Sequence, residues 1–218
     1  GFKKENDLQI INIQIKEGLY LFDIIFKNQT YENFVFKMPG SYNLLNAAGS
    51  ILACLINGIT VESIKNGLKS YSGVKRRFDI QLSLPKLIYI DDYAHHPKEI
   101  DSLLSAVKSF YPQKFVVGVF QPHLFSRTRD FMDYFAESLS GFDEIFLLPI
   151  YPAREAPIEG IDSSVLMQKI KNTNKRLINS VDELFNFLNR EIDMVLLTIG
   201  AGDIDKWPEQ IKKIALNA

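Results

Sequence analysis

Cysteine is almost missing from this chain. Cys54 is the only one in 218 residues, so no internal disulfide can form, and its place in the apolar run Ile51-Leu52-Ala53-Cys54-Leu55-Ile56 reads as a buried, inert thiol in a reducing compartment. Net charge is equally scarce. Lys plus Arg number 25 against 26 Asp plus Glu, a formal charge of -1, which leaves no overall field to draw in nucleic acid or an anionic membrane. An anionic ligand therefore has to be held by local groups. No apolar run approaches the roughly 18 residues of a membrane span, and the charged start Lys3-Lys4-Glu5 is not followed by the apolar core of a secretory signal. The expectation is a soluble cytoplasmic protein with neither nucleic-acid nor membrane partners. With 46% hydrophobic and 23% charged residues, the chain is globular and long enough for one large domain or two small ones.

What is present falls into two patterns. Three short segments, near Leu8 to Ile15, Leu19 to Phe26 and Tyr31 to Phe36, are rich in Ile, Phe, Tyr and Leu with partial alternation and predict an antiparallel meander. After Pro39-Gly40, Ser41 can cap a helix in which Leu44, Ala47, Ala48, Ile51, Leu52 and Leu55 recur at helical spacing. A second helix, about Val61 to Tyr71, follows Thr60. The string Gly73-Val74-Lys75-Arg76-Arg77 breaks the pattern, and a hinge or boundary is expected between it and Pro85. Beyond it, strand and helix alternate: Leu87 to Asp91, Pro97 to Phe110, Phe115 to Phe120, Ser126 to Leu139 and Glu144 to Leu148. The alternation continues through Ser163 to Lys171, Val181 to Asn189, Met194 to Ile199 and Asp203 to Leu216. Such a run predicts an α/β domain with a mostly parallel sheet covered on both faces, with ligands at the C-terminal strand ends.

The three histidines, His95, His96 and His123, all fall just after predicted strands. In Asp91-Asp92-Tyr93-Ala94-His95-His96-Pro97, two carboxylates, a phenol and two imidazoles precede a helix whose first turn is set by Pro97. In Phe120-Gln121-Pro122-His123-Leu124-Phe125-Ser126-Arg127-Thr128-Arg129-Asp130, a second strand ends and Ser126 is placed to cap a helix whose N-terminus suits an anion. One such cluster is explained as loop anchoring; two at matching strand ends favour a site. Thr198-Ile199-Gly200-Ala201-Gly202-Asp203 is a third place of this kind, where glycines let the backbone approach a neighbour. Tyr151-Pro152-Ala153-Arg154-Glu155-Ala156-Pro157 is too rich in proline for a helix and reads as a loop. Asn43 and Asn46, three apart on one helix, can both point to one side. Arg76 and Arg77 either clamp phosphate or are solvated. Read as metal ligands, Asp91, Asp92, His95, His96 and His123 would suit zinc or manganese in a hydrolase. A non-catalytic binding module is the other alternative.

Taken in order, six strings resemble the Mur ligases of peptidoglycan synthesis: Met38-Pro39-Gly40 with Asn43 and Asn46, Gly73 to Phe78, Asp91 to Pro97, Phe120 to Asp130, Tyr151 to Ile158, and Gly200 to Ile204. The resemblance implies that residues 1–78 are the C-terminal portion of a central ATP-binding domain and residues 79–218 a Rossmann-like domain that brings the amino acid. It implies ATP and Mg²⁺ as cofactors, UDP-N-acetylmuramate and L-alanine as substrates, and an acyl phosphate on the pathway. A family member that attaches a ready-made tripeptide is the competing reading. Carried over by motif, Asn43 and Asn46 face the adenine, Arg76 the ATP phosphates and Asp92 the ribose. Tyr93 and His95 face the reacting groups, and His123 and Arg127 the amino acid, with His95, Asp92 and Arg127 as the catalytic set. Leu124 stands where the family string often has arginine. No G-x-x-x-x-G-K-[ST] is present, and the metal ligands are expected mainly upstream. The chain is therefore expected to be a fragment lacking the upstream half of the enzyme and inactive alone.

Overall fold

A computed structural model of the chain describes residues 1–172, 174–188 and 192–216. They form two compact units, one of Gly1–Gly73 with Ser109–Tyr111, the other of Val74–Lys108 with the described chain from Pro112 onward.

In the first unit β1 (Leu8–Lys16), β2 (Leu19–Phe26) and β3 (Gln29–Phe36) make an antiparallel meander. Tyr20, Phe22, Ile24 and Phe26 alternate to its buried face, as a sheet covered on one side requires. The register shifts between Ile11 and Gln14 and between Phe22 and Ile24, which is why the alternation in the sequence is only partial. Helix α1 (Ser41–Ile56) buries Leu44, Ala47, Ala48 and Ile51, one stripe of its surface. Its cap is Gly40, at φ 97, and not Ser41, which lies inside the first turn; glycine is the residue that accepts such a backbone without strain. Helix α2 (Val61–Ser70) is capped by Thr60, whose hydroxyl accepts from the Ser63 amide at 3.3 Å.

The second unit runs β4 (Asp79–Ser83), β5 (Leu87–Asp92), α3 (Pro97–Phe110), β6 (Phe115–Phe120), α4 (Phe125–Asp130), α5 (Met132–Leu139) and β7 (Glu144–Leu147). It continues with α6 (Ser163–Lys169), β8 (Lys175–Leu177), α7 (Phe185–Leu188), β9 (Met194–Ile199) and α8 (Trp207–Leu216), the last two helices each preceded by a short 3₁₀ turn. The sheet order is β4-β5-β9-β6-β7-β8. Only β4 pairs antiparallel. Every residue of β5, β7 and β9 is buried, the mark of strands covered on both faces. Tyr89, Val117, Val119, Phe146 and Leu196 pack on one face with Leu184, Ile204 and Ile211. On the other, Phe120 meets Phe135 of α5 with ring centroids 5.5 Å apart.

Three further expectations change. The hinge region holds a strand, β4. The helix expected over Ser126 to Leu139 is two helices, broken where Phe131 leaves the helical region at φ -114, ψ 18. The helix expected over Val181 to Asn189 is a 3₁₀ turn, Val181–Leu184, followed by α7, and Asn189 lies outside the described residues. In register, Asp92 and Phe120 both pair with Ile199, and Phe120 with Leu147, so β5, β9, β6 and β7 end level and form a rim.

Candidate active site

Successive strand residues face opposite ways, so Asp91 and Asp92 serve different sides of the sheet. Asp91 is 2% exposed and receives two side chains: Thr198 Oγ1 donates to Oδ1 at 2.7 Å and Arg76 Nε to Oδ2 at 2.9 Å. Arg76 Nη2 also donates to the Gly200 carbonyl at 2.6 Å. Since the single Thr198 hydroxyl proton goes to Asp91, the Tyr89 hydroxyl, 2.9 Å away, is the donor to Thr198. Burial, with the Asp91 charge, holds the Tyr89 phenol far above its ordinary value, against the pull of the Thr198 bond. Arg76 is anchored within its own unit by these bonds, with its backbone at φ 61.

Asp92 accepts from two backbone amides, Phe78 at 2.7 Å and Ala94 at 2.8 Å. Burial raises its carboxyl above the usual carboxylate value, and these two amides and Arg77 offset part of the rise. Tyr93, 37% exposed, carries both arginines on its ring, with Arg76 5.1 Å and Arg77 5.7 Å from the centroid.

His95 Nδ1 lies 3.0 Å from the Tyr93 carbonyl. A carbonyl only accepts, so Nδ1 carries the proton and a neutral ring presents Nε2 as an acceptor. The backbone amides of His95 and His96 both donate to Glu99, at 2.9 and 3.2 Å. His96 itself turns aside to pack its ring on Phe131, centroids 4.7 Å apart. His123 has the opposite polarity. Arg127 Nη1 sits 3.5 Å from its Nδ1, at the outer limit of a hydrogen bond, and since a guanidinium only donates, Nδ1 faces it as an acceptor. Burial, then Arg127 and His95, hold the His123 imidazole below its ordinary value, against the pull of Glu155. The two rings stand 6.2 Å apart, and His123 also stacks on Tyr151 at 5.6 Å. Arg76, Asp92, Tyr93, His95, His123 and Arg127 thus gather at the C-terminal rim of one sheet.

Asn43 and Asn46 belong to the first unit, where both line a cavity of about 360 Å³ between apolar walls that include Phe36, Ile51, Leu68 and Tyr71. Asn43 Nδ2 donates to the Pro39 carbonyl at 2.7 Å.

Ser126 does not cap α4. The cap is Leu124, at φ 74 and without a side-chain bond. The first turn is instead met by Glu155, which accepts from the Ser126 amide at 2.9 Å and from its hydroxyl, so the anion expected at this helix end is the protein's own. Gln121, buried, joins Asp203 at 2.6 Å and the Ile204 amide at 3.0 Å. Thr198, Gln121 and Glu155 act on the rim from a distance in sequence that no local motif records. Among the described residues no group of three or more His, Cys, Asp or Glu converges as metal ligands. No described helix is long and apolar enough to cross a membrane.

Residues 76–202 match the family described as Mur ligase, glutamate ligase domain, and the chain belongs to that family. Among curated relatives it is 47% identical over 217 residues to the UDP-N-acetylmuramate–L-alanine ligase of Christiangramia forsetii, covering 100% of this chain and 48% of the relative. To the ligase of the same name from Flavobacterium psychrophilum it is 50% identical over 213 residues, 98% of this chain and 47% of the relative. The chain thus spans about half the length of the curated relatives it matches. In fold it is similar to the crystal structure of UDP-N-acetylmuramate-alanine ligase MurC from Thermotoga maritima, with TM-score 0.82 and 24% identity over 99% of this chain and 47% of that one.

Proposed function

We propose that this chain is the C-terminal part of an ATP-dependent ligase that joins L-alanine to the carboxylate of UDP-N-acetylmuramate. The observation that carries the reading is identity of 47% to 50% to ligases of that name along 98% or more of the chain. On this reading residues 1–78 complete the central ATP-binding domain and residues 79–218 form the domain that brings the amino acid.

The chemistry follows from the substrates. A free carboxylate is a poor electrophile, so ATP first phosphorylates it. The alanine amine attacks the acyl phosphate, a tetrahedral intermediate forms, and phosphate leaves. Little covalent work falls to the protein; it has to align anionic pieces and stabilise the developing charge. In the first unit, the cavity beside Asn43 and Asn46 suits an adenine, the amides reading its edge. In the second, Arg76, fixed by Asp91 and Gly200, has remaining guanidinium protons to offer a phosphate, and Asp92 is the carboxylate for a ribose. Tyr93 and His95 face the reacting centre. Arg127 binds the alanine carboxylate, while the acceptor Nδ1 of His123 beside it suits the ammonium end of the same zwitterion. Mg²⁺ belongs with the ATP phosphates, and its protein ligands are expected mainly outside this chain.

The test is phosphate release from Mg-ATP, with this chain alone and with the protein extended to the full length of its relatives. Release that requires both UDP-N-acetylmuramate and L-alanine in the extended protein supports the ligase. A folded extended protein that releases none, or that turns over with a tripeptide in place of alanine, overturns it.

A further inference from the structure

The loop from Tyr151 to Glu155 is fastened along the segment that carries His123 and Arg127. Tyr151 donates its amide to the Pro122 carbonyl at 2.8 Å and accepts from the Leu124 amide at 2.9 Å, and its ring stacks on His123. Four residues on, Glu155 takes the Ser126 amide and hydroxyl. Helix α4 spans six residues and its cap, Leu124, gives no side-chain bond. A helix start leaves its first amides without internal partners, so this short helix depends on a carboxylate from another loop. Arg127 is the next residue after Ser126, and His123 is joined to it one turn back.

We propose that Glu155 is a positioning residue that fixes the spacing of His123 and Arg127 by capping the first turn of α4 from outside. That His123 and Arg127 receive the amino acid rests on the reading above; that Glu155 sets their geometry does not.

Two measurements separate these statements. In this chain, His123 is titrated by NMR in wild type, Glu155→Ala and Glu155→Gln. Loss of the carboxylate charge alone would move His123 further down, because Glu155 pulls it up. Loss of positioning frees the ring from burial and from Arg127, and moves it up toward its ordinary value. The upward shift is expected for Glu155→Ala; Glu155→Gln, whose amide oxygen can still accept from Ser126, keeps the positioning and loses only the charge, so there His123 is expected to move slightly down. An unchanged or lowered value in Glu155→Ala overturns the proposal. In the full-length protein, Glu155→Ala is expected to raise the alanine KM about tenfold, near 1.4 kcal/mol, with kcat and the ATP KM within about twofold and Glu155→Gln largely restoring it. A fall in kcat with the alanine KM unchanged also overturns it. Should Glu155→Ala fail to fold, Ser126→Ala removes the hydroxyl contact alone and is expected to shift both readouts the same way by less. Absence of alanine-dependent turnover in the wild type would count against the ligase and leave the titration to decide the role of Glu155.

Discussion

Arg76 and Asp91, fifteen residues apart in sequence, form an ion pair at 2.9 Å in which the carboxylate side chain is 2% exposed and the guanidinium 15%. Removing one partner of such a pair leaves the other charge buried without compensation. Asp91→Ala is expected to lower the unfolding free energy by about 3–5 kcal/mol, and Thr198→Val, which strips an acceptor from Tyr89 and a donor from Asp91, by about 1–3 kcal/mol. Urea unfolding of the two variants checks this; equal midpoints with wild type would show that the network is not under tension with solvent.

Asp92 gives the opposite pH dependence from a typical surface-paired carboxylate. Its folded value is raised above the ordinary 3.8, so between the two values the folded state holds a proton that the unfolded state has released. Its contribution is present in full below the ordinary value and is lost as pH rises through the folded one. Asp92→Asn removes that slope and turns an amide group toward one of two backbone donors, at a cost of about 1–3 kcal/mol. The stability gap between wild type and variant is expected to narrow as pH rises across that window. A gap that widens would contradict the assignment.

His123 titrates on the other side. Its folded value lies below 6.5, so its contribution to stability grows as pH rises through the folded value and is complete above the unfolded one. Arg127→Ala removes the second-largest cause of the shift and is expected to move His123 upward by NMR. No movement would mean that burial alone sets it.

Gly202 is packed against Tyr151: a Cβ added there would stand 2.7 Å from Tyr151 Cβ. Gly202→Ala is expected to cost about 1–3 kcal/mol through overpacking and to weaken the stacking of Tyr151 on His123, visible as a changed ring shift. Unaltered stability and spectra would show that the loop yields freely.

Asn46 is exposed on α1, so Asn46→Ala should change stability by less than about 0.5 kcal/mol. If the amide reads adenine as proposed, the ATP KM of the full-length protein rises severalfold while the alanine KM stays. A variant with wild-type ATP kinetics would remove Asn46 from the nucleotide site.

Much of the architecture was legible because fully buried strands such as Leu87 to Asp91 and Met194 to Ile199 are continuous apolar runs bounded by turns. Edge elements were not. Asp79–Ser83 is an edge strand with no fully buried residue, and Lys175–Leu177 has three residues, too few for a period to show. Caps failed where backbone geometry replaced chemistry: Gly40 displaced Ser41, and Leu124 took a left-handed backbone that no propensity favours. The strand-end clusters were visible as motifs, but the residues that hold them were not, since Glu155 reaches Ser126 across 29 positions and Gln121 reaches Asp203 across 82.

Strand β9 lies between β5 and β6 in the sheet yet is the last strand in chain order. During synthesis the loops bearing His95 and His123 leave the ribosome long before the strand that seats them side by side. Until β9 inserts, β5 has only its short antiparallel neighbour, and the pairing that levels the rim is between distant parts of the chain, a slow kind of contact to make. The rim is thus expected to be among the last features of the molecule to form, and a nascent chain halted before Met194 to hold two half-sheets with exposed apolar borders, a natural target for chaperones.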